Sequence, residues 1–509
     1  MLDADSSELL HLAQNVSLIL LSVVLLPLST AILFLSYAVR LLLGENAFRQ
    51  HSQRSPNFQP KTILVTGVGM AKGLRIAQAF YQTGHRVIGA DFEPNSIPVS
   101  GRFSRAIDKF YRVSKPSPQH GAARYVRDLV YIVEKEEVDL WVSCSGVASA
   151  AEDGQARELL GRKTSCKSIQ FDVKTTETLH EKDSFIEYTK SLGLPVPETH
   201  QVVSRTAVLN VLNEAIGGKK KYIMKTIGVD DASRANTATV LPKRTLSQTY
   251  GHVSKLSISK STPWVLQQYI KGEEYCTHSI VIDNKVKLFV ACPSSDLLMH
   301  YQALPQDSGL SKAMLHFTEE FAHRSESGFT GHLSFDFMVE EKVTEGCVQK
   351  NIYPIECNPR AHTAVTLFSG TQGSIDMVKA YMSVLDSSPG SGGNGHLYLS
   401  YALSDTGSVA YPQPTAPGYY WIGHDIVTLV LHPLLRILTF RIGLWPFIHH
   451  VTTFLNHVLF WKEGTYEVWD PLPWWWLYHV YWPGHFWVCL RTGKKWSRVN
   501  VSTTKIFGC

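Results

Sequence analysis

Ile352-Tyr353-Pro354-Ile355-Glu356-Cys357-Asn358-Pro359-Arg360 reads as a short apolar strand that runs into a carboxylate, an amide, a proline and an arginine. In an extended chain residues two apart share a face, so Glu356 and Asn358 point the same way. Upstream, Gly331 to Val339 reads as another strand, with Asp336 set between Phe335 and Phe337. On neighbouring strands, Asp336, Glu356 and Asn358 meet on one face as three oxygen donors. Such a set suits magnesium, which keeps several waters and takes one or two carboxylates together with substrate phosphates. A solitary acid at a strand end is ordinarily just solvated. The company of Glu356-x-Asn358-Pro359-Arg360 gives Asp336 its weight.

Working outward, Lys182 opens a helix that runs to Leu192 and stops at Gly193-Leu194-Pro195. Lys221 to Lys225 (KYIMK) is a strand ending in a lysine, and Trp264 to Ile270 (WVLQQYI) leads into Lys271-Gly272-Glu273-Glu274. A nucleoside triphosphate brings more negative charge than a metal alone neutralises. Lys182 and Lys225 are therefore candidates for its phosphates, and Glu274 for its ribose hydroxyls.

Earlier still, Lys61 to Thr66 (KTILVT) is a β-branched strand followed by Gly67-Val68-Gly69-Met70-Ala71-Lys72-Gly73 and an apolar-periodic helix from Leu74 to Thr83. The next strand, Arg86 to Ala90, closes on Asp91, and Val138 to Ser143 reads as a later strand of the same parallel sheet. Glycines and an acid so placed suit an NAD(P) site. The spacing is Gly-x-Gly-x-x-x-Gly, however, and the same turn packs any helix closely on a parallel sheet, so a structural Rossmann-like module is the preferred reading and a working nicotinamide site the alternative.

The ends have a different composition. No residue from Val16 to Val39 is charged, and at about 1.5 Å per residue such a helix crosses a hydrocarbon core of about 30 Å. Asp3, Asp5 and Glu8 precede the run and Arg40, Arg49, Arg54 and Lys61 follow it, which predicts a single-pass anchor with the bulk of the chain facing the cytoplasm. A cleaved signal peptide would want a basic start and a shorter apolar region. Ten of the twelve tryptophans lie from Trp421 onward. Trp474-Trp475-Trp476 and Trp482 suit a membrane interface, and the broken apolar runs Ile426 to Phe440 and Phe447 to Leu459 suit helices lying in the membrane face. An aromatic domain packed on the catalytic core is the other reading. The eight cysteines are scattered singly, which fits reduced thiols. A net charge of +5 over 509 residues gives no reason to expect a nucleic-acid partner.

The ordered series Lys182, Lys225, Gln267-Gln268-Tyr269-Ile270-Lys271-Gly272-Glu273-Glu274, Phe335-Asp336-Phe337 and Glu356-Cys357-Asn358-Pro359-Arg360 resembles the ATP-grasp superfamily over about Lys61 to Val365. The resemblance implies an α/β and α+β architecture: a Rossmann-like preceding domain, then an ATP-grasp fold of two α+β subdomains with ATP between them. Carried over, Lys182 and Lys225 hold phosphates, Gln268, Tyr269 and Ile270 frame the adenine, and Glu274 meets the ribose. Asp336, Glu356 and Asn358 bind two Mg²⁺, for which Mn²⁺ would substitute, and Arg360 steadies the transferred phosphoryl group or the acceptor. Gln267 and Gln268 stand where many members have an acidic pair. Ser184 to Pro197, Glu274 to Ser279, Ile355 to Thr363 and Tyr420 to Ile426 are similar to the ligases that make mycosporine-glycine. Those ligases phosphorylate an enolised cyclohexenone oxygen and join glycine through its amine. Related membrane-anchored enzymes would serve other secondary-metabolite pathways, alkaloid ones included.

The expected organisation is an anchor over 1–45, a linker over 46–60, the Rossmann-like domain over 61–170, the ATP-grasp domain over 171–390 and an aromatic, membrane-associated region over 391–509. The expected partners are ATP, an amino acid, a small carboxylate or enol acid, and a lipid membrane. Arg234, in a lid loop from Ile227 to Asn236, and His278 and His362 are candidates for the acceptor pocket. The competing functions are an NAD(P)-dependent membrane oxidoreductase built on Gly67 to Gly73 and a non-catalytic nucleotide-binding scaffold.

Overall fold

The computed structural model describes residues 6–43, 47–54, 58–117, 121–144, 146, 149–218, 220–226, 239–294, 299–344, 347–386 and 408–509. The proposed lid, 227–236 with Arg234, lies outside them. Five strands, β1 (Thr62–Thr66), β2 (Arg86–Asp91), β3 (Lys109–Arg112), β4 (Leu140–Val142) and β5 (Lys167–Ile169), form a parallel sheet in the order β3-β2-β1-β4-β5. Ile63 and Val65 pack with the Ala71–Gln82 helix on one face, and Leu64 packs with the Ala123–Glu136 helix on the other. A strand buried on both faces needs the unbroken apolar run that TILVT supplies.

Antiparallel sheets follow. β6 (Thr199–Val202), β7 (Tyr222–Thr226), β8 (Val240–Leu241) and β9 (Trp264–Gln268) assemble in the order β6-β9-β7-β8 over a small core centred on Tyr222, Met224 and Leu266. The chain then crosses to a larger sheet, in which β10 (Gly272–Ile282) and β11 (Lys285–Pro293) form a hairpin. Gly272 marks the crossing, where a Cβ would lie 1.7 Å from the Val339 carbonyl oxygen. After β12 (His300–Tyr301), β13 (Gly331–Thr344) and β14 (Cys347–Asn358) complete the order β11-β10-β13-β14. Phe335 and Phe337 fill one face of this sheet against Phe317 and Phe321 of the Gly309–Arg324 helix. The opposite face carries the polar residues of interest.

At the C-terminal end, β15 (Tyr419–Tyr420) and β16 (Lys462–Glu463) join β12 in a small sheet, and β17 (Trp496–Asn500) pairs with β18 (Lys505–Gly508). Between β15 and β16 run helical segments Ile426–Leu431 and His432–Leu438, then Leu444–Phe460. Their outer surface is apolar, with Phe440 96% and Trp445 80% exposed.

The apolar N-terminal helix, Glu8–Leu43, is longer than expected and is the one described helix long and apolar enough to cross a membrane. It also lies along the body of the protein. Asn15 Oδ1 accepts from Trp496 Nε1 at 2.9 Å, Ser22 Oγ donates to the Tyr478 carbonyl at 2.9 Å, Trp475 Nε1 donates to Thr30 Oγ1 at 3.1 Å, and Ser36 Oγ bonds the Tyr466 hydroxyl at 2.6 Å. Asn15, Ser22 and Ser36 fall on one helical stripe, while Leu20, Val24 and Leu35 of the other side stay exposed.

One expectation is corrected here. Trp474 and Trp482 are buried in the protein, the former beside Tyr466 and the latter stacked on Phe486, so they do not form the outer interface. The segment expected as a linker contains the Ala47–Arg54 helix, held to the parallel module by Arg49, which donates to the His85 carbonyl at 3.1 Å and covers the Tyr81 ring.

Candidate active site

Asp336 lies directly opposite Glu356 in the β13–β14 register, and Ser334 lies opposite Asn358. Opposed residues of an antiparallel pair share a face, so the two carboxylates and the amide are brought together as the spacing predicted. The register slips just beyond, where Phe337 pairs with Pro354 and leaves Ile355 as an extra residue. Proline has no N–H for the ladder, and a bulge beside it re-aims the strand end. Asn358 Nδ2 donates to Asp336 Oδ2 at 3.1 Å, and Arg360 Nη1 donates to Asn358 Oδ1.

The cations approach from the smaller sheet and from a helix whose Phe185 and Ile186 pack in the core of the larger one. Lys182 Nζ sits 3.1 Å from Glu356 Oε2, at the start of the Lys182–Ser191 helix. Lys225, in β7, donates to Gln267 Oε1 of β9 at 2.7 Å. Burial, and then the positive charge of Lys182, pulls its pKa down to about 8 against the pull of Glu356, Glu274 and Asp336. The sequence marks Gln267 only as standing where many ATP-grasp members carry an acid, and its pairing with Lys225 is a finding of the structure. Because its partner is neutral, Lys225 keeps its charge for another group. Asp336 is moved well above the usual carboxylate range, first by burial and then by the carboxylates of Glu356 and Glu274. Two carboxylates and an amide oxygen form a hard donor set whose negative charges oppose one another, a set that fits Mg²⁺.

The crossing between the two sheets is held from the smaller one. Gln268 N–H donates to the Glu198 carbonyl at 2.7 Å, Gln268 Oε1 accepts from Glu198 N–H at 3.3 Å, and Tyr269 N–H donates to the Lys221 carbonyl at 2.7 Å. Tyr269 is exposed, Ile270 is buried, and Glu274 is exposed at the start of β10. His278 is a correction: it is fully enclosed, and its Nδ1 accepts from His362 N–H at 3.4 Å, which makes it part of the floor and closes it to an acceptor. Burial holds its imidazole well below its ordinary pKa. His362 keeps partial exposure beside Tyr301, and its Nδ1 caps the Thr363–Leu367 turn at Ala364.

The Gly67–Gly73 turn is committed to the protein's own atoms. Gly69 N–H donates to Asp91 Oδ2 at 2.7 Å, and Ala71 N–H donates to the Ser502 carbonyl of the C-terminal region at 2.9 Å. Asp91 also accepts from Phe92 N–H at 2.7 Å. The cavity at the turn itself measures about 30 Å³, and a wider one of about 370 Å³ opens beyond Asp91 along Phe92, Arg112, Val113 and Arg124. Gly73 is demanded by packing, since a Cβ there would lie 2.3 Å from the Gly67 carbonyl oxygen.

No protein-family model matches the chain, and no curated protein matches it in sequence. Among solved structures it is similar to N5-carboxyaminoimidazole synthetase from Staphylococcus aureus, at 14% identity and TM-score 0.44 over 64% of this chain and 78% of that one. It is similar to biotin carboxylase from Campylobacter jejuni at 16% identity and TM-score 0.45, covering 64% and 71% of the two chains. With L-amino acid ligase from Bacillus licheniformis the values are 12% and 0.40, covering 59% and 67%. Overlaps this loose assign neither a substrate nor a reaction to the chain.

Proposed function

We propose that this chain is an ATP-dependent ligase of the ATP-grasp type that forms a carbon–nitrogen bond. It transfers the γ-phosphoryl group of ATP to a carboxylate or enol acid and couples that acceptor to the amine of an amino acid. The observation that carries the reading is the pairing of Asp336 with Glu356 on one sheet face, with Asn358 beside them and Lys182 and Lys225 facing them. Half-buried carboxylates set against one another raise each other's pKa, and a divalent cation between them relieves that repulsion. Mg²⁺ held by Asp336, Glu356 and Asn358 would neutralise phosphate charge there, and Mn²⁺ would substitute for it.

The chain's own groups do the rest. Lys182 and Lys225 hold phosphates, Gln268, Tyr269 and Ile270 frame the adenine, and Glu274 takes the ribose hydroxyls. Arg360 steadies the transferred group. An amine cannot expel oxide from a carboxylate or enol acid. Phosphoryl transfer forms a bond from the acceptor oxygen to phosphorus as the bond to ADP breaks. The amine then attacks carbon, and phosphate leaves with that oxygen. Such an intermediate hydrolyses readily, and Arg234 and the loop around it are assigned to its lid. His362 is assigned to the acceptor pocket. The exposed apolar faces of the N-terminal helix and of the Ile426–Phe460 segments are assigned to a membrane, with the catalytic sheets on its cytoplasmic side. A secondary-metabolite acceptor of the cyclohexenone or alkaloid-precursor type suits the resemblance to mycosporine-glycine ligases.

The test is ADP and phosphate release by detergent-solubilised protein with Mg²⁺-ATP, an amino-acid panel, and a panel of carboxylates and cyclohexenones. Turnover that requires both co-substrates and is lost in Glu356→Gln is expected. Absence of ATP binding in the wild-type chain would sink the proposal.

A further inference from the structure

Away from the nucleotide face, three side chains from distant parts of the sequence converge where the catalytic sheets meet the C-terminal region. His300 lies in β12, Asp425 ends the turn that follows β15, and His457 lies in the last turn of the helix that leads into β16. β15 pairs with both β12 and β16, so the small sheet itself gathers them. Asp425 is fully buried, with Oδ1 2.8 Å from His300 Nε2 and Oδ2 2.6 Å from His457 Nδ1. All three ligating atoms lie within 4.8 Å of one another. The rings are fixed by their neighbours: His457 packs 4.5 Å from Trp461, and the two imidazole centres are 4.7 Å apart.

Among the described residues, the ion-pair partners of Asp425 are these two imidazoles and no lysine or arginine. Two neutral imidazoles would leave a net negative charge buried on the carboxylate, which is an expensive arrangement. A divalent ion would remove that cost, and two nitrogens with one carboxylate oxygen, at about 2.0–2.2 Å each, are the protein ligands of a zinc centre that keeps a further position for water. We propose that His300, Asp425 and His457 bind a single zinc ion that clasps the C-terminal helical segments to the catalytic sheets. On binding, the two N–H···O contacts give way to nitrogen–zinc and oxygen–zinc bonds, and each imidazole carries its proton on the other ring nitrogen. The centre is distinct from the Asp336–Glu356–Asn358 set, because nitrogen ligands favour zinc and an all-oxygen set favours magnesium. It holds whether or not the ligase reading does.

The test uses the full chain in lipid nanodiscs, prepared without chelator or polyhistidine tag, with zinc and Co²⁺ as the probes. A single zinc per chain by elemental analysis is expected, with the visible absorption of a low-coordinate site once Co²⁺ replaces it. Asp425→Asn is expected to weaken zinc binding by more than about a hundredfold, beyond what loss of an outer-shell partner costs. His457→Cys separates a metal centre from a hydrogen-bonded triad, since a thiolate is a good zinc ligand and a poor substitute for an imidazole N–H. It is expected to keep the ion and to add a thiolate-to-cobalt charge-transfer band. A wild-type chain that takes up neither metal stoichiometrically would overturn the proposal. So would Asp425→Asn with unchanged affinity, or a folded His457→Cys without the new band. If Asp425→Asn does not fold, the cobalt spectra of wild type and His457→Cys decide alone.

Discussion

The glycine turn of the parallel sheet and the carboxylate face of the larger antiparallel sheet both offer groups that nucleotides use, but those groups are bonded differently. At the turn, Gly69 N–H is spent on Asp91 and Ala71 N–H on Ser502, and the space left measures about 30 Å³. Across β13 and β14, Asp336 and Glu356 face one another, Asp336 is driven toward its neutral form by burial and by its acidic neighbours, and Lys225 leans on a neutral glutamine. Burial raises the Asp91 carboxyl too, to about 7, but there two backbone N–H groups oppose the shift, whereas Asp336 is raised further by the carboxylates of Glu356 and Glu274, an arrangement that a cation would improve. Glycine spacing reports how closely a helix packs on a strand; unresolved electrostatics report where a ligand belongs.

One substitution made in both regions tests that contrast. Asp336→Asn is expected to lower ATP turnover by about 10²–10³-fold, the scale of losing one preorganised electrostatic contact. It should leave the unliganded protein as stable as before or up to about 1 kcal/mol more so, because a buried carboxylate has been removed from beside Glu356. Asp91→Asn should do the reverse. It sets an amide donor against Gly69 N–H or Phe92 N–H and costs about 1–3 kcal/mol of stability, while turnover per folded molecule is unchanged. Thermal melts and steady-state kinetics on the two variants measure both effects. Equal loss of turnover in the two would break the comparison.

Gly73→Ala sharpens it from the packing side. Its Cβ would meet the Gly67 backbone 2.3 Å away, so the helix must shift, with an expected stability loss of about 1–3 kcal/mol. Specific activity of the folded fraction should hold, and a fall in ATP affinity greater than the fall in stability would return the turn to the list of binding elements.

The parts of the site that were legible in the sequence depend on local geometry. Period-two alternation puts Glu356 and Asn358 on one face whatever the strand pairs with, and Asp336 needed only an adjacent strand to meet them. Gln267 was illegible as the partner of Lys225 because it requires the β7–β9 register, in which Ile223 faces Gln267 and Lys225 faces Val265. His300, Asp425 and His457 required the pairing of three short strands. At the termini, aromatic composition does not say whether lipid or protein covers a ring. Trp474 is covered by the protein, while Phe440 and Trp445 are left outside. Ser22 and Ser36 lie inside the uncharged run and Asn15 immediately before it, and their stripe acquires meaning only beside Trp496, Tyr478 and Tyr466.

Two buried lysines extend the contrast to pH. Lys72, on the glycine-turn helix, donates to the Ala361 carbonyl at 2.8 Å, and burial pulls its pKa to about 7. Lys225 is pulled to about 8. A depressed amine is charged below its pKa and neutral above it, so Lys225 in the free protein loses its charge as pH rises through about 8. A bound phosphate favours the charged form and pushes that pKa back up. ATP binding should therefore take up protons around pH 8 and almost none at pH 6, and affinity should fall by about tenfold between pH 7 and 9. Calorimetry in buffers of different ionisation enthalpy measures the uptake. Lys225→Arg, charged throughout that range, should flatten the profile, because guanidinium does not deprotonate there. Lys72→Met should leave it as it was, since Lys72 serves a backbone carbonyl; a profile that flattens in that variant as well would place the glycine-turn helix in nucleotide binding after all.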